Sequence, residues 1–282
     1  MDMFEIVHKK RLNPTVTEMD VMAPLVAAKA RAGQFVILRV DEDGERIPLT
    51  VAGFDRDAGT VRIIYQIVGA TTMRLDAENE GDSIRDFVGP LGNPTDISGV
   101  GSALIVGGGV GCAIALPVAR ALCDQGSDVR SIIGFRNKDL VILEKEFRDC
   151  SSSLVLTTDD GSAGRKGLVT ELLRELLESG ERFDRIYAIG PLVMMKYVVK
   201  TASPYGVPVV VSMNPIMIDG TGMCGCCRLS VGGQMKFACV DGPDFEGALV
   251  NFDEAISRSS QYKEQEDRAR ETACNLFKKE VR

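Results

Sequence analysis

The stretch Ala103-Leu104-Ile105-Val106-Gly107-Gly108-Gly109-Val110-Gly111 decides the fold class of this 282-residue chain. Its first four residues form a continuous apolar run, which is typical of a strand buried on both faces of a parallel sheet. The glycines that follow lead into a predicted helix that extends through Ala121. The stretch therefore predicts a strand–turn–helix unit, and a pyrophosphate can bind the free N–H groups at the start of such a helix.

Strands and helices alternate along the chain after this unit. Further strands are predicted at 129–135, 154–157, 185–189 and 208–212, with helices at 143–147, 169–177 and 191–200 between them. This alternation predicts an α/β domain with a parallel, doubly wound sheet. Asp160-Gly161 and Gly190-Pro191 follow strands at the same edge as the first turn. Ordinary turn chemistry explains each pair alone, but three such turns at one edge favour a ligand site.

The first hundred residues have a different pattern, with short strands separated by turns. Strands are predicted at 4–10, 16–21, 34–40 and 60–68, together with one short helix at 71–77. Strands at this spacing predict a small antiparallel β-barrel. Arg46 and the segment Gly69–Thr72 offer a guanidinium, hydroxyls and a helix start, which suit a diphosphate. Ordinary loops have the same composition, so these residues alone do not establish a site.

Four cysteines lie close together in a loop that begins Asp219-Gly-Thr-Gly-Met-Cys-Gly-Cys-Cys-Arg228. Cys224 and Cys227 form a C-x2-C pair, and Cys239 follows after eleven intervening residues. Asp219 precedes Cys224 by four intervening residues. Plant-type 2Fe-2S ferredoxins space their ligands C-x4-C-x2-C…C. The loop has this spacing with a carboxylate in the first place, and we interpret it as an iron–sulfur loop.

Other interpretations of these cysteines are weaker. A zinc knuckle normally needs a second C-x2-C pair or a pair of histidines, and His8 is the only histidine in the sequence. A dithiol redox motif normally lies at the start of a helix, and buried structural thiols rarely cluster so closely. Cys226 falls outside the ligand spacing, so we assign it to packing or to the surroundings of the cluster.

Composition argues against several classes of function. The formal net charge of −7 disfavours nucleic acids and anionic membrane surfaces as partners. No apolar run approaches the length of a membrane span, and the first residues lack the basic start of a signal peptide. Clustered cysteines without an export signal indicate a reducing compartment. We therefore expect a cytoplasmic protein.

Together these features resemble the ferredoxin–NADP reductase-like family, which includes the electron-transfer subunit of dihydroorotate dehydrogenase. The resemblance covers nearly the whole chain and is strongest at Asp219–Arg228 and Lys236–Pro243, with support from Gly134–Asp139. It implies FAD in the barrel, a nicotinamide nucleotide on the α/β domain and a 2Fe-2S cluster with one Asp and three Cys ligands. The dihydroorotate branch uses four cysteines. Asp219 therefore favours the branch of NADH-dependent reduced ferredoxin:NADP oxidoreductase small subunits, also named sulfide dehydrogenase beta subunits.

The resemblance also implies roles for individual residues. The FAD-binding residues that it implies are Arg46, Pro48, Leu49, Thr50, Val68, Gly69, Thr71 and Thr72. The implied nicotinamide site consists of Gly107, Gly108, Gly109, Gly111, Asp160, Gly161, Gly190 and Pro191. The implied cluster ligands are Asp219, Cys224, Cys227 and Cys239. No residue is expected to serve as a catalytic acid or base, because hydride and electron transfer do not require one.

These assignments predict four parts of the chain: a β-barrel FAD domain (1–98), an NAD(P)-binding α/β domain (99–214), a small 2Fe-2S domain (215–250) and a helical tail (251–282). The tail has a helical pattern over residues 252–277, and we expect it to pack on a partner or on the barrel. The predicted function is that of an electron-transfer flavoprotein subunit. It connects NAD(H), FAD and the cluster with a larger flavin and iron–sulfur subunit that resembles the small subunit of glutamate synthase. That complex is expected to be an electron-bifurcating NADH/NADPH/ferredoxin oxidoreductase.

Three alternatives remain open on the sequence alone. They are an NADPH-linked sulfide dehydrogenase or sulfur reductase subunit, the electron-transfer subunit of dihydroorotate dehydrogenase, and a non-catalytic redox sensor that carries a cluster. NADP(H) is also possible as the nucleotide. No acid precedes Asp139 after the second strand of the α/β domain, while Arg136 or Lys138 suits a 2′-phosphate. The family implies NADH, so NAD(H) is the expected nucleotide.

Overall fold

The computed structural model describes residues 4–280 and the side chains through residue 272. Its strands are β1 (Phe4–Asn13), β2 (Val16–Met22), β3 (Phe35–Arg39), β4 (Ile47–Asp55), β5 (Thr60–Gln66), β6 (Ser83–Ile84), β7 (Asp86–Leu91), β8 (Ser102–Gly108), β9 (Asp128–Phe135), β10 (Ser153–Thr158), β11 (Arg165–Lys166), β12 (Arg185–Ile189), β13 (Val209–Ser212), β14 (Arg228–Val231), β15 (Gln234–Phe237) and β16 (Asp244–Glu246). Its α-helices are α1 (Pro24–Ala27), α2 (Ala70–Ala77), α3 (Gly111–Asp124), α4 (Glu144–Asp149), α5 (Val169–Glu178), α6 (Leu192–Ala202), α7 (Ala238–Asp241), α8 (Phe252–Ser259) and α9 (Lys263–Glu280). Short 3-10 turns cover Lys138–Leu140, Ser203–Tyr205 and Gly247–Leu249.

The N-terminal sheet is antiparallel and curls into a nearly closed barrel. Its seven strands run in the order β6-β1-β2-β5-β4-β3-β7. Side chains alternate across each strand, so one set points inward and forms an apolar core with the helix α2. That core includes Ile6, Met19, Val36, Ile63 and Leu75. The predicted antiparallel barrel and its short helix are confirmed.

The sequence pattern predicts no strand over residues 47–55, but β4 lies there between β3 and β5. Pro48 pairs with Ile37 of β3, although proline cannot donate a ladder hydrogen bond. The pairing with β5 also shifts register between Val51 and Gly53. Proline, glycine and a register shift together obscure the alternation that marks a strand. The four-residue helix α1 is likewise unpredicted.

The second sheet is parallel from β11 through β13, with β16 antiparallel at its edge. Its order is β11-β10-β9-β8-β12-β13-β16, so the strand order reverses between β8 and β12. Leu104 and Val106 join the core on one face of the sheet, whereas Ala103 and Ile105 join the core on the other. The prediction of a doubly wound sheet with β8 buried on both faces is confirmed. Its reversal point is where open α/β sheets bind ligands.

The cysteine loop is inserted between two paired strands of the second sheet. It leaves the sheet after β13 and returns as β16, which pairs with β13. Between them the predicted Gly-Gly hairpin is present as β14 and β15, joined at Gly232 and Gly233 with φ angles of 58° and 75°. Positive φ at both positions matches the hairpin turn that two glycines favour. The loop is therefore anchored at both ends by the second sheet.

The C-terminal tail forms two helices instead of the single one that the pattern predicts. The break falls between α8, which packs beside α6 and β14, and α9, which lies beside α2 of the barrel.

The four-part division of the chain stays a prediction, because Phe35, Leu104 and Cys227 share one continuous apolar core. Across residues 4–280, no helix combines the length and the apolar character that a membrane crossing requires.

Candidate cofactor and electron-transfer site

A cavity of about 740 Å³ opens between the barrel and the second sheet, beside the ends of β8 and β12. On the sheet side, it is lined by five residues of the expected nicotinamide site: Gly108, Gly109, Gly111, Gly190 and Pro191. Asn13, Thr15 and Gln66 line the barrel side. The cavity therefore lies at the reversal of strand order, which is the position where nucleotides bind in folds of this type.

Glycine is required at the turn that forms the floor of this cavity. A Cβ atom on Gly111 would lie 2.6 Å from the carbonyl oxygen of Ile189 and 2.7 Å from the Cα of Gly190. Gly109 has a φ of +55°, which strains other residues, and its N–H donates to Gly134 O at 2.9 Å. The first turn of α3 thus packs directly against the turn after β12, and no side chain stands between the two.

Dinucleotide-binding folds often have a G-x-G-x-x-G fingerprint at this turn, and Cys112 stands in the place of its third glycine after Gly107 and Gly109. Its side chain is fully buried, and burial raises the pKa of the thiol. A Cβ atom on Gly107 would lie 2.9 Å from the Cys112 sulfur. Cys112 therefore fills space behind the turn, which explains how the spacing departs from the fingerprint while the turn keeps its shape.

Three residues of the expected nicotinamide site do not line the cavity. Gly107 is buried within the sheet, and Asp160 and Gly161 form a neighbouring turn. The Ser162 hydroxyl and N–H both donate to the Asp160 carboxylate, and they hold its pKa below the usual value. The preceding residue, Asp159, lines the cavity instead. The role assigned to Asp160 stays a prediction.

The cavity also contains polar residues that are absent from the expected nicotinamide site. Asp159 directly follows β10, while Ser212 ends β13 and Asn214 follows it. The rule that ligands meet the carboxyl ends of parallel strands was the signal that would have found them. Arg136, which follows β9, also lines the cavity. Lys138 is absent from the lining, and its N–H donates to the Ser162 hydroxyl at 2.8 Å.

The residues expected to border the flavin ring lie on β4. Pro48, Leu49 and Thr50 are half-buried, and Arg46 is exposed just before the strand. These half-buried side chains lie on a strand that is flanked by β3 and β5, and together they leave a surface that a planar ring can cover. The residues present therefore fit a flavin, while their individual roles stay predictions.

The residues expected near the flavin diphosphate lie at the start of α2. The Thr72 hydroxyl accepts hydrogen bonds from the N–H groups of Val68 and Gly69, each at 3.0 Å. The same hydroxyl donates to Gly69 O at 3.0 Å, so it fixes the turn that begins the helix. Thr71 is buried, and its hydroxyl donates to Glu45. A Cβ atom on Gly69 would meet nothing within 4 Å, so the helix start opens onto free space.

The expected cluster ligands differ in their surroundings. Cys227 and Cys239 are buried, and their sulfur atoms lie 3.2 Å apart. Cys224 is exposed and Asp219 is partly exposed. One Asp219 oxygen accepts hydrogen bonds from the N–H and hydroxyl of Thr221 and, at 3.4 Å, from Met223 N–H. The donors thus form a buried sulfur pair and a more exposed pair at the loop surface.

Backbone amides point at the sulfur atoms of this loop. The N–H groups of Cys226 and Asp219 donate to Cys224 and lower the pKa of its thiol. Burial raises the pKa of the Cys239 thiol to about 12, while the Gly222 N–H acts in the opposite direction. Among the described residues, no three or more His, Cys, Asp or Glu side chains already form a metal-ion site. Three thiols, two of which have N–H···S donors, nevertheless fit a cluster, because soft sulfur ligands suit iron and amides tune them.

The cysteine loop lies directly against the barrel. A Cβ atom on Gly220 would lie 2.8 Å from Leu91 Cδ1 and 2.9 Å from Ile37 Cγ1. Asp219 has a lowered pKa, chiefly because the Thr221 hydroxyl donates to it and in addition because Arg46 is near. The strands β3 and β7 and the cluster loop are therefore neighbours, and Arg46 just before β4 lies near the loop as well.

Comparison with known proteins agrees with this geometry. Residues 214–251 match the family model of the iron–sulfur cluster binding domain of dihydroorotate dehydrogenase B. Over 262 residues, the chain is 49% identical to a homologue of the dihydroorotate dehydrogenase B (NAD(+)) electron transfer subunit from Thermotoga maritima. The match covers 93% of this chain and 92% of that protein. The chain belongs to the family of dihydroorotate dehydrogenase B electron-transfer subunits and their homologues.

A further relative and a solved structure of this electron-transfer family extend the comparison. The electron transfer subunit of dihydroorotate dehydrogenase B from Streptococcus mutans is 35% identical, and the match covers 88% of this chain and 97% of that protein. A solved chain of an NADH-dependent reduced ferredoxin-NADP oxidoreductase is 47% identical, with a TM-score of 0.90. That match covers 96% of this chain and 98% of the solved chain. The predicted family and fold are confirmed.

Family membership also decides the general chemistry of the chain. It is an electron-transfer subunit of an oxidoreductase that acts on NAD(P)H. At the level of the family, the matches confirm the predicted cofactors: FAD, a 2Fe-2S cluster and NAD(H). The assignment of individual residues to these cofactors stays a prediction.

Proposed function

We propose that this protein exchanges electrons with NAD(H) in the cavity at the β8–β12 crevice and passes them through FAD on the barrel to the cysteine loop. One observation carries the proposal. The loop backbone at Gly220 packs against Ile37 and Leu91 of the barrel, beside the strand that carries Pro48 and Leu49. A flavin on that strand and a cluster in that loop would be neighbours, as electron transfer requires.

The residues of the chain bind and orient the cofactors in this proposal. FAD, when bound, accepts a hydride as two electrons and releases electrons singly, which suits a one-electron cluster. Gly111 and Gly190 line the cavity and let the first turn of α3 pack against the turn after β12, and Thr72 holds the turn at the start of α2. No group of the chain has to accept or release a proton during the transfer. The protein therefore contributes position, exclusion of water and local charge.

The same proposal includes an electron-bifurcating complex with a larger flavin and iron–sulfur subunit that resembles the small subunit of glutamate synthase. Two features support it: Asp219 in the first ligand position and the extensive similarity to an NADH-dependent reduced ferredoxin-NADP oxidoreductase chain. The loop also presents apolar side chains to solvent. Met223 is 87% exposed, and Ile218 and Val240 are 47% and 43% exposed. A partner that covers this surface would receive electrons close to the cluster.

A second candidate is the electron-transfer subunit of a dihydroorotate dehydrogenase. The names of its relatives favour this candidate, and the S. mutans protein aligns over most of both chains. The two candidates differ in the partner and in the terminal acceptor. Purification of the chain with its natural partner, followed by assays of ferredoxin and of dihydroorotate as redox partners, separates them. Ferredoxin-dependent activity supports the first candidate, and dihydroorotate-dependent activity supports the second.

An anaerobic titration tests the proposed function of the chain itself. The purified protein should show the absorption of bound flavin, and addition of NADH should bleach it. A parallel titration with NADPH should require a higher concentration for the same bleaching. If the protein lacks flavin, or if NADH leaves the flavin oxidised, the proposal is rejected. The chain would then be better described as a cluster-bearing sensor.

A further inference from the structure

Cys226 is the cysteine of the loop that the expected ligand set leaves unused. It is half-buried, and its thiol interacts with the thiol of Cys224 across the turn at Gly225. Its carbonyl oxygen accepts a hydrogen bond from Arg258 Nη2 of α8 at 3.4 Å. The backbone of Cys226 is thus held by a neighbouring helix while its sulfur lies against an expected ligand.

Asp219 and Cys226 contact the same ligand. The Asp219 N–H donates to the Cys224 sulfur, and the Cys226 thiol interacts with that sulfur as well. The Asp219 carboxylate is meanwhile hydrogen-bonded to Thr221 and Met223 of its own loop. Thiolate is a softer ligand than carboxylate and binds iron–sulfur clusters more commonly. Two donors of different softness are therefore available beside Cys224.

The buried end of the loop offers no such choice. The sulfur atoms of Cys227 and Cys239 lie 3.2 Å apart within the apolar core. By contrast, Cys224 and Cys226 flank Gly225, whose φ of +69° makes a tight turn at the surface. A Cβ atom on Gly225 would have only Phe237 nearby, at 3.6 Å, so this turn has room to adjust. An exchange of ligands is possible at the exposed end alone.

We propose that the Cys226 thiolate is an alternative fourth ligand that replaces the Asp219 carboxylate beside Cys224. The inference rests on the proposed function, because it takes the cluster and the ligands Cys224, Cys227 and Cys239 as given. In the exchange, an iron–oxygen bond breaks, an iron–sulfur bond forms and the thiol proton passes to solvent. No electron is transferred. The chain thereby has both an Asp-containing ligand set and an all-cysteine ligand set.

Four proteins test this inference: wild type, Asp219→Ala, Cys226→Ser and the double variant. The readouts are iron and acid-labile sulfide per chain and the EPR spectrum after reduction with dithionite. Asp219→Ala should keep the wild-type cluster content with a changed spectrum, because a thiolate has replaced the carboxylate. Cys226→Ser should match wild type in content and spectrum. The double variant should lose cluster content by roughly tenfold or more.

Cys123→Ser is the matched control, because Cys123 is an exposed cysteine on α3 outside the loop. It should match wild type in every readout. The inference is overturned if Asp219→Ala loses its cluster as completely as the double variant, or if the double variant keeps the spectrum of Asp219→Ala. Cluster loss in Cys226→Ser alone also overturns it, because Cys226 would then be the resident ligand. Wild-type protein without iron would instead refute the proposed function itself.

Discussion

Among single residues, Asp244 has the least satisfied carboxyl in the described part of the chain. Its Oδ2 accepts a hydrogen bond from the Thr95 hydroxyl at 2.5 Å, while its Oδ1 is buried and has no hydrogen-bond partner among the described residues. Burial raises the pKa of Asp244, and the hydroxyls of Thr95 and Ser212 oppose this shift. The folded chain therefore holds the Asp244 proton more tightly than the unfolded chain does.

A pH-dependent loss of stability follows from this raised pKa. In the folded state the acid favours its protonated form, so the free energy of unfolding falls as pH rises above the unfolded pKa and levels off above the folded one. Asp244→Asn removes this dependence. We expect the variant to gain about 1–3 kcal/mol relative to wild type as pH rises from the unfolded pKa into the neutral range, because it no longer buries a carboxylate charge.

Thermal unfolding followed by circular dichroism across that pH range measures the difference. Asp267→Asn, at an exposed position on α9, is the control and should show no comparable gain. A difference between Asp244→Asn and wild type that stays constant with pH, or that favours wild type as pH rises, contradicts the raised pKa.

Gly111 makes a second prediction at the residue scale. Gly111→Ala places a Cβ atom 2.6 Å from the Ile189 carbonyl oxygen, so α3 must move away from the turn after β12. Overpacking of this kind costs about 1–3 kcal/mol. We expect lower stability and weaker binding of NADH, measured by calorimetry. Gly126→Ala just beyond the far end of α3 is the control, since its φ of +90° also makes alanine unfavourable but no neighbour lies within 4 Å. Equal NADH affinity in the two variants would show that Gly111 does not contribute to the nucleotide site.

At the scale of elements, the start of α2 depends on one hydroxyl. Thr72→Val removes the acceptor for the N–H groups of Val68 and Gly69. The loss of such a cap costs about 1 kcal/mol. We expect a lower melting temperature and faster release of FAD, followed by the rise in flavin fluorescence. Thr272→Val is the control, because its hydroxyl donates only to Arg268 O within the exposed helix α9. FAD release that is unchanged in Thr72→Val would place the flavin elsewhere.

Elements differ in how far the sequence alone predicts them. The buried strand β8 and helix α3 follow from a local apolar run and a glycine turn, and the cysteine loop follows from local spacing. By contrast, β4 was hidden because Pro48 and Gly53 break the strand pattern. Ser212 is absent from the expected site because only the sheet topology brings it to the cavity. The sequence predicts local chemistry, but it does not predict which distant segments of the chain come into contact.

At the scale of the whole molecule, Asn93 connects the barrel to the cluster loop. Its side chain donates to Val240 O at 3.0 Å, and its backbone N–H donates to Gly242 O at 2.7 Å. Asn93→Ala removes the first bond and keeps the second. Supports of this kind change metal affinity by about 10–100-fold, so we expect faster loss of iron to a chelator. Asn79→Ala is the control, since the Asn79 side chain bonds only within its own turn. Equal rates of iron loss in the two variants would show that the connection does not support the cluster.

In the complete molecule, the proposed function requires that electrons from NADH reach iron held in the loop from Asp219 to Cys239. EPR spectroscopy of anaerobically purified protein, before and after addition of NADH, tests this requirement most directly. The predicted result is the signal of a reduced 2Fe-2S cluster that appears with NADH in wild type and is missing in Cys227→Ser. Protein that contains iron and flavin but develops no cluster signal with NADH would contradict the account.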